Sequence, residues 1–279
     1  MLIGDEIKYL KNTDKTIFLA APDPVYSLYK IALNQIIAKD NLILLDGASL
    51  ERALLMGQKK YYSIMTTSST FSWEAYYKAP IVGIIRGETL ETVREIAKAY
   101  IEAELFTIEI TMNTAGVAEI IAMLRTEFPS LNVGAGTVCT LEDYSVAVSA
   151  GAQFIVTPII DELVIKKAVA DAIPIFPGAY TPTEIYKAWS LGASAVKIFP
   201  ATQLGPTYIK DVLAPLNTIK LLPTGGVNKE NIKTFFSAGA IGAGMGSSLL
   251  NKQLIKDKNF KELITYFKSI KSEIVDFII

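Results

Sequence analysis

From residue 80 onward, short runs of β-branched and aliphatic residues alternate with amphipathic stretches of helical period. The predicted strands cover residues 81–85, 106–110, 132–135, 154–157, 173–176, 195–199, 219–222 and 241–245. Strands that alternate with helices pair in parallel, and eight such units favour a closed (β/α)8 or TIM barrel. The units lie between residues 81 and 250, a shorter span than the ~200–250 residues usual for that fold. We therefore expect a compact α/β barrel with short loops.

Residues 1–79 do not fit this pattern. They contain strand-like runs at 16–20 and 42–45 and helical stretches at 26–38 and 50–59, which predict a small α/β unit. The polar, turn-prone residues 66–72 are the best linker candidate. We therefore divide the chain into an N-terminal extension of unassigned role, 1–79, and a barrel domain with a C-terminal helix, 80–279.

Composition limits the classes of function open to the chain. A hydrophobic fraction of 51% allows a sizeable core and excludes a disordered protein. A net charge of −1 without a basic block argues against nucleic-acid binding. No uncharged apolar stretch approaches the ~20 residues of a membrane span, and the first residues do not read as a signal peptide. We expect no membrane association and a cytoplasmic location.

The chain contains no histidine and a single cysteine, Cys139. The usual general base and the commonest metal ligand are therefore missing, and neither an intrachain disulfide nor a multi-cysteine zinc site is possible. We expect no metal.

The strongest chemical signal is a lysine in the middle of an apolar strand, at residues 195–200. Strand alternation places Lys197 and Phe199 on one face and Val196 and Ile198 on the other. If the aliphatic pair faces the helices, Lys197 points into the barrel, where burial disfavours its charged form. A lysine with a lowered pKa attacks carbonyl groups to form a Schiff base. The alternative is a lysine that extends along the strand end to solvent.

Glu109 stands between two isoleucines in the second predicted strand and shares an inward face with Thr107 and Thr111. The second and sixth strands lie on opposite sides of a narrow barrel, so Glu109 and Lys197 can converge. Glu109 can then serve as the general acid and base that histidine cannot be here. The alternative is a buried structural ion pair.

Two glycine-rich segments, 223–227 and 244–248, follow the seventh and eighth predicted strands. These positions of a barrel often hold a phosphate through backbone N–H groups. The segments predict a phosphate or carboxylate site, to which Ser247 adds a hydroxyl; the alternative is that the glycines serve tight turns.

Other strand ends offer further candidates. The small residues 134–136 open space at the barrel mouth, and Thr137 can bind a carboxylate. Arg86 follows the first strand and can bind a carboxylate or phosphate bidentately, unless it is an ordinary surface arginine. Thr181 and Glu184, around Pro182, are interpreted as a helix start.

These segments together resemble the 2-keto-3-deoxy-6-phosphogluconate (KDPG) aldolase family. That family also includes the 4-hydroxy-2-oxoglutarate (KHG) and 2-keto-3-deoxy-6-phosphogalactonate (KDPGal) aldolases. The resemblance covers about residues 80–251 and rests on the segments 108–111, 134–138, 177–184, 197–201, 223–227 and 244–247, in the family's order. It implies a class I aldolase, a trimeric barrel that uses no metal or other cofactor. Residues 1–79 have no counterpart in a typical member.

The resemblance also implies roles for individual residues. Lys197 matches the lysine that forms the Schiff base, and Glu109 matches the glutamate that shuttles protons. Thr137, Pro158 and Phe199 match residues around the pyruvyl half of the substrate. Gly225, Gly226 and Ser247 match residues that hold the distal phosphate, and Thr224 and Gly246 are also assigned to substrate binding. Many members have an arginine where this chain has Asn113, so the carboxylate clamp is assigned instead to Arg86.

The expected function is reversible cleavage of a phosphorylated keto acid such as KDPG to pyruvate and glyceraldehyde 3-phosphate. KHG and KDPGal are alternative substrates, and an isomerase or synthase on a phosphate-binding barrel is an alternative enzyme. An alternative of another class is a non-catalytic barrel that binds a phosphate ligand and carries a regulatory N-terminal extension.

Overall fold

The computed structural model of the protein describes residues 9–11, 17–19, 43–44 and 70–278. Contacts divide the chain into two units, Met1–Thr67 and Ser68–Ile279.

In the first unit, strands β1 (Tyr9–Lys11), β2 (Ile17–Leu19) and β3 (Ile43–Leu44) form one sheet in that order. Strand β1 is antiparallel to β2, and β2 is parallel to β3. The strands expected at 16–20 and 42–45 are confirmed, and β1 was not predicted. The helical stretches expected at 26–38 and 50–59 lie outside the described residues, as does most of the expected linker.

The second unit alternates strands with helices. Its strands are β4 (Ile81–Ile85), β5 (Thr107–Thr111), β6 (Asn132–Gly136), β7 (Ile155–Val156), β8 (Ile175–Phe176), β9 (Gly178–Ala179), β10 (Val196–Ile198), β11 (Leu221–Pro223) and β12 (Ala243–Met245). Its helices are α1 (Trp73–Tyr77), α2 (Leu90–Glu102), α3 (Val117–Glu127), α4 (Leu141–Ser149), α5 (Glu162–Ala170), α6 (Pro182–Ser190), α7 (Gly205–Leu213), α8 (Ile232–Ser237), α9 (Lys252–Lys256) and α10 (Phe260–Ser272). Each of the eight strands expected from the sequence overlaps an observed strand.

The expected C-terminal helix over 260–279 is too long. Helix α10 ends at Ser272, and a 3-10 turn follows at Val275–Phe277. Ile274 is fully buried, and its backbone has left the helical region with φ of −115°. Asp276, within the turn, bonds to Lys233 of α8 at 2.8 Å. The buried Ile274, with its non-helical φ, therefore separates α10 from the turn.

All strand pairs of the second unit are parallel. One sheet has the order β12-β4-β5-β6-β7-β8 and the other the order β11-β10-β9. Pro177 separates β8 from β9, and because proline has no N–H it interrupts the ladder there. At the other junction, Thr224 and Gly244 form a single parallel bridge. The second unit is therefore an α/β fold on parallel strands.

Strand alternation divides the buried residues into two clusters. Ile108, Ile110, Val196 and Ile198 belong to the larger cluster, which lies against the helices. The smaller cluster holds residues from the opposite strand faces together with the segment before β4, namely Phe71, Tyr76, Val82, Phe154, Val156, Phe176, Ala195 and Leu222. The strands therefore have a second buried face, which the helices α2–α10 do not cover.

The segment before β4 is tied to the strands by aromatic contacts and hydrogen bonds. The ring of Phe71 lies 5.3 Å from that of Phe154, and the ring of Tyr76 lies 6.4 Å from that of Phe176. The buried Asn132 side chain accepts from the Ser72 N–H at 2.7 Å and donates to the Ser72 carbonyl at 2.8 Å. This segment is part of the inner core.

Thr181 and Glu184 form the capping box expected of them, with Pro182 in the first turn of α6. The Thr181 hydroxyl accepts from the Glu184 N–H at 3.3 Å, and the Glu184 carboxylate accepts from the Thr181 N–H at 2.8 Å. The structural interpretation of this segment is confirmed. Across the described part of the chain, no helix is both long and apolar enough to cross a bilayer.

We predict that two N-terminal truncations differ sharply in stability. A chain that begins at Ser68 retains the inner aromatic cluster, whereas one that begins at Pro80 loses Phe71, Trp73 and Tyr76. Removing one buried aromatic side chain costs about 3–5 kcal/mol, so losing several exceeds the ~5 kcal/mol by which many domains are stable. Urea unfolding followed by circular dichroism should give a cooperative transition only for the longer chain. Equal midpoints would contradict this account of the segment.

Candidate active site

Lys197 on β10 and Glu109 on β5 both lie on the inner strand face, opposite the aliphatic residues that pack against the helices. Lys197 is 5% exposed and Glu109 is 2% exposed. Alternation explains these positions, because the neighbours Val196, Ile198, Ile108 and Ile110 are buried in the outer cluster. This burial of Lys197 argues against the alternative of a side chain that extends along the strand end to solvent.

Neither charged group is paired within the described residues. No hydrogen bond, and no ion pair within 4.0 Å, involves the Lys197 Nζ or the Glu109 carboxylate there. The Lys197 Nζ lies 4.8 Å from the centroid of the Phe199 ring, a cation–π distance. This part of the chain therefore does not form the direct structural ion pair of the alternative interpretation. Buried charges without partners are costly, and such groups are common at reaction sites.

Burial shifts the pKa of each group in the direction that favours its neutral form. It lowers the pKa of the Lys197 ammonium, against the opposing effect of the Glu109 carboxylate, and Arg86 lowers it further. It raises the pKa of the Glu109 carboxyl group, against the opposing effects of Lys197 and Arg86. A neutral amine is a nucleophile, and a carboxyl group with a raised pKa can donate a proton and accept it again during a reaction.

Gly136, at the end of β6, makes room for the Glu109 carboxyl group. A Cβ atom at residue 136 would overlap Oε1 of Glu109 and lie 2.7 Å from its Cδ. The space expected around residues 134–136 is thus used by the carboxyl group itself. The two glycines on one strand face, at 134 and 136, are the sequence signal, but only the structure shows which side chain needs each.

A cavity of about 350 Å³ has Phe199 in its lining, the residue whose ring lies 4.8 Å from the Lys197 Nζ, whereas Lys197 and Glu109 are not lining residues themselves. Most of the expected substrate-binding residues line it. These are Arg86, Phe199, Thr224, Gly225, Gly226, Gly246 and Ser247. The lining also includes Ile84, Glu88, Val227, Gly244, Ser248, Leu250 and Lys252.

One part of the cavity lining combines glycine backbone with a buried hydroxyl group. Gly225 and Gly226 have φ of +88° and +76°, a region that favours glycine, and a Cβ on Gly226 would lie 2.8 Å from the Cα of Thr202. Thr224 is 3% exposed, and its Oγ1 has no hydrogen-bond partner among residues 70–278. An unpartnered hydroxyl beside exposed backbone is suited to an anionic ligand.

Thr137 and Pro158 lie outside this cavity lining. Both are half-buried and follow the carboxyl ends of β6 and β7. Thr137 has φ of +59°, and the carbonyl of Pro158 lies against Gly178, where a Cβ would come within 2.5 Å of the Pro158 carbonyl carbon. Arg86 is exposed at the cavity and affects the pKa of both Glu109 and Lys197, which sets it apart from a remote surface arginine.

Sequence reasoning missed Glu88 and Lys252. Glu88 lies two residues after Arg86 in the β4–α2 loop, so the assignment of Arg86 to the site was a signal that could have led to Glu88. Lys252 is the first residue of α9, and no local pattern marks it. For metals, the described residues contain no group of three or more Cys, Asp or Glu side chains placed to hold an ion.

Comparison with known proteins gives a consistent result. The family model described as KDPG and KHG aldolase matches residues 74–266. The 2-dehydro-3-deoxy-phosphogluconate aldolase of Treponema pallidum is 33% identical over 192 residues, which are 68% of this chain and 91% of that protein. The 2-dehydro-3-deoxy-6-phosphogalactonate aldolase of Escherichia coli K12 is 33% identical over 199 residues, which are 71% of this chain and 97% of that protein.

Among solved structures, the KDPG aldolase of Legionella pneumophila matches with a TM-score of 0.66 at 25% identity. The match covers 70% of this chain and 96% of that one, whose structure holds pyruvate captured as a covalent carbinolamine. The fold and these similarities define an aldolase, an enzyme that breaks and forms a carbon–carbon bond. The chain belongs to the KDPG and KHG aldolase family.

We predict that alanine at two neighbouring glycines of β6 has different consequences. Gly136→Ala forces the Glu109 carboxyl group out of position and should lower kcat by about 100-fold or more, because small misplacements of reacting groups are costly. Gly134→Ala is the matched control, since its Cβ would lie 2.5–2.6 Å from the Phe154 ring in the core. It should lower the free energy of unfolding by about 1–3 kcal/mol. Steady-state kinetics and urea unfolding of both variants test this; a fully active Gly136→Ala enzyme would refute the positioning role.

Proposed function

We propose that the chain is a class I aldolase that reversibly cleaves KDPG to pyruvate and glyceraldehyde 3-phosphate through a Schiff base on Lys197. The observation that carries the proposal is a buried lysine without a partner among the described residues, on the same inner face as a buried carboxyl group. Phe199, whose ring lies 4.8 Å from the Lys197 Nζ, links this pair to a cavity with features of an anion site. A non-catalytic barrel gains nothing from burying these two groups unpaired.

The reaction begins when the neutral amine of Lys197 attacks the C2 carbonyl of the substrate. The addition gives a carbinolamine, and the Glu109 carboxyl group donates the proton with which the hydroxyl leaves as water. The product is a protonated imine, whose positive charge accepts electrons from the adjacent carbon. This imine supplies the electron sink, so we assign the reaction no metal or other cofactor.

Carbon–carbon cleavage then uses Glu109 as a base. The Glu109 carboxylate removes the proton of the C4 hydroxyl, the C3–C4 bond breaks, and its electrons pass to the imine to give an enamine. The aldehyde leaves as glyceraldehyde 3-phosphate. Protonation of the enamine at C3 and hydrolysis of the imine release pyruvate and restore the Lys197 amine.

The remaining residues bind the two ends of the substrate. We assign the pyruvyl half to Arg86, Thr137, Pro158 and Phe199, with Arg86 paired to the carboxylate. We assign the distal phosphate to five residues of the cavity lining, namely Thr224, Gly225, Gly226, Gly246 and Ser247. The unpartnered Thr224 hydroxyl and the open backbone of the two glycines support the second assignment.

KDPGal is the second candidate substrate. The observation that favours it is the 33% identity to the E. coli enzyme of that name, over 97% of that protein. KHG is a third candidate, since it shares the pyruvyl half that Lys197 attacks. The three differ at and beyond C4, where the cavity lining makes the choice.

We further propose that the two parallel sheets close into a (β/α)8 barrel. Strands β8 and β9 are consecutive and separated by Pro177 alone, and the Thr224–Gly244 bridge joins β11 to β12. With β8 and β9 counted as one position, the strands number eight. An inner buried cluster drawn from strands of both sheets supports closure.

The assembly and location of the protein are part of the same proposal. We infer a homotrimer from the family resemblance, and Leu163 and Tyr186 on helices α5 and α6, exposed at 64% and 58%, are consistent with a contact surface. We infer a cytoplasmic enzyme with small-molecule substrates and no nucleic-acid or membrane partner. The catalytic domain is placed after the N-terminal extension, whose role is left unassigned.

The test is pyruvate release from KDPG, KDPGal and KHG by the full chain, with lactate dehydrogenase as the coupling enzyme. We expect one phosphorylated substrate to be preferred by kcat/KM. Lys197→Met should abolish turnover, and Glu109→Gln should lower kcat by about 100- to 10,000-fold. Lys220→Met is the matched control, because Lys220 is exposed and lies over the Trp73 ring away from the cavity. Absence of pyruvate from all three substrates, or turnover by folded Lys197→Met, would overturn the proposal.

A further inference from the structure

Three charged side chains line one cavity and are unpaired among the described residues. Arg86, Glu88 and Lys252 all border it, and none has an ion pair or side-chain hydrogen bond in this part of the chain. Elsewhere on the surface, several lysines do have such partners, as Lys166 does with Glu162 at 3.1 Å. The charges at the cavity are therefore free to act on whatever fills it.

The β4–α2 loop and the start of α9, which carry Glu88 and Lys252, contribute to the same cavity lining as the residues assigned to the phosphate. Lys252 follows Gly246 and Ser247 along the chain after β12, so it shares a wall with two residues assigned to the phosphate. Glu88 lies in the β4–α2 loop after Arg86, and β4 pairs with β12. The cavity lining thus combines a cation and a carboxylate with the residues assigned to a substrate group of double negative charge.

We propose that Lys252 and Glu88 determine the specificity for a phosphorylated substrate, with effects of opposite sign. Lys252 is the counter-ion of the distal phosphate and strengthens its binding. Glu88 repels that phosphate and limits how tightly the substrate and the phosphorylated aldehyde product are held. This inference rests on the proposed function and deepens it, because it names two residues that select the charged substrate.

Solvent exposure sets the size of each effect. Lys252 is exposed and Glu88 is half-buried. Exposed charge pairs change an equilibrium by up to about fivefold, and salt weakens them because the Debye length is about 10 Å at 0.1 M. We therefore expect both residues to act on KM, and we expect both effects to diminish as ionic strength rises.

The experiment compares KDPG with 2-keto-3-deoxygluconate, which has a hydroxyl group in place of the phosphate. The measured quantity is the ratio of kcat/KM for the two substrates. Lys252→Met should lower this ratio about two- to fivefold through a higher KM for KDPG. Glu88→Gln should raise it about two- to fivefold through a lower KM. Both changes should diminish at 0.5 M salt.

Matched controls separate these effects from general changes in charge. Lys256→Met, at the other end of α9, and Glu91→Gln, in the first turn of α2, change the same charges outside the cavity lining and should leave the ratio unchanged. An unchanged ratio in Lys252→Met, or a lower ratio in Glu88→Gln, overturns the inference while pyruvate release by the wild-type chain keeps the proposed function intact. If the wild-type chain releases no pyruvate, the proposed function fails first and this inference fails with it.

Discussion

The site depends on burial of a lysine amine on the inner face of β10 without an ion-pair partner among the described residues. Such burial disfavours the charged form, so the packing of the strand must offset the free energy of solvation that the ammonium group loses. Val196 and Ile198 do so on the opposite face, where both are packed against the helices. The same packing that stabilises the strand therefore turns Lys197 inward and lowers its pKa.

The inner face of the strands has a different character at its two ends. At the amino ends, aromatic residues such as Phe71 and Phe154 fill the space, and the buried Asn132 side chain is hydrogen-bonded to the Ser72 backbone. At the carboxyl ends, glycines leave room for polar groups: Gly136 for the Glu109 carboxyl group and Gly244 for Thr224. The first end stabilises the fold, and the second provides space for a reaction.

The sequence predicted all eight strand positions because hydrophobic alternation is local, and it predicted Lys197 and Glu109 because a charge in an apolar strand breaks that alternation. It placed Trp73–Tyr77 in the extension, although the packing of this helix on strand residues far away in the chain makes it part of the inner core. Long-range contacts of this kind leave no periodic signal. Glu88 and Lys252 were missed for the same reason, because only the folded chain brings both into the lining of one cavity. The C-terminal helix was predicted too long because the burial of Ile274 is a tertiary effect.

The most direct test of the central claim is reduction with sodium borohydride in the presence of pyruvate at neutral pH, followed by intact-protein and peptide mass spectrometry. Because burial lowers the pKa of Lys197, its amine should react at a pH where ordinary lysines, with a pKa of about 10.4, are almost fully protonated. The account predicts one pyruvyl adduct, on the peptide that contains Lys197, and none in Lys197→Ala. A folded wild-type protein without an adduct, or an adduct on another lysine, would contradict it.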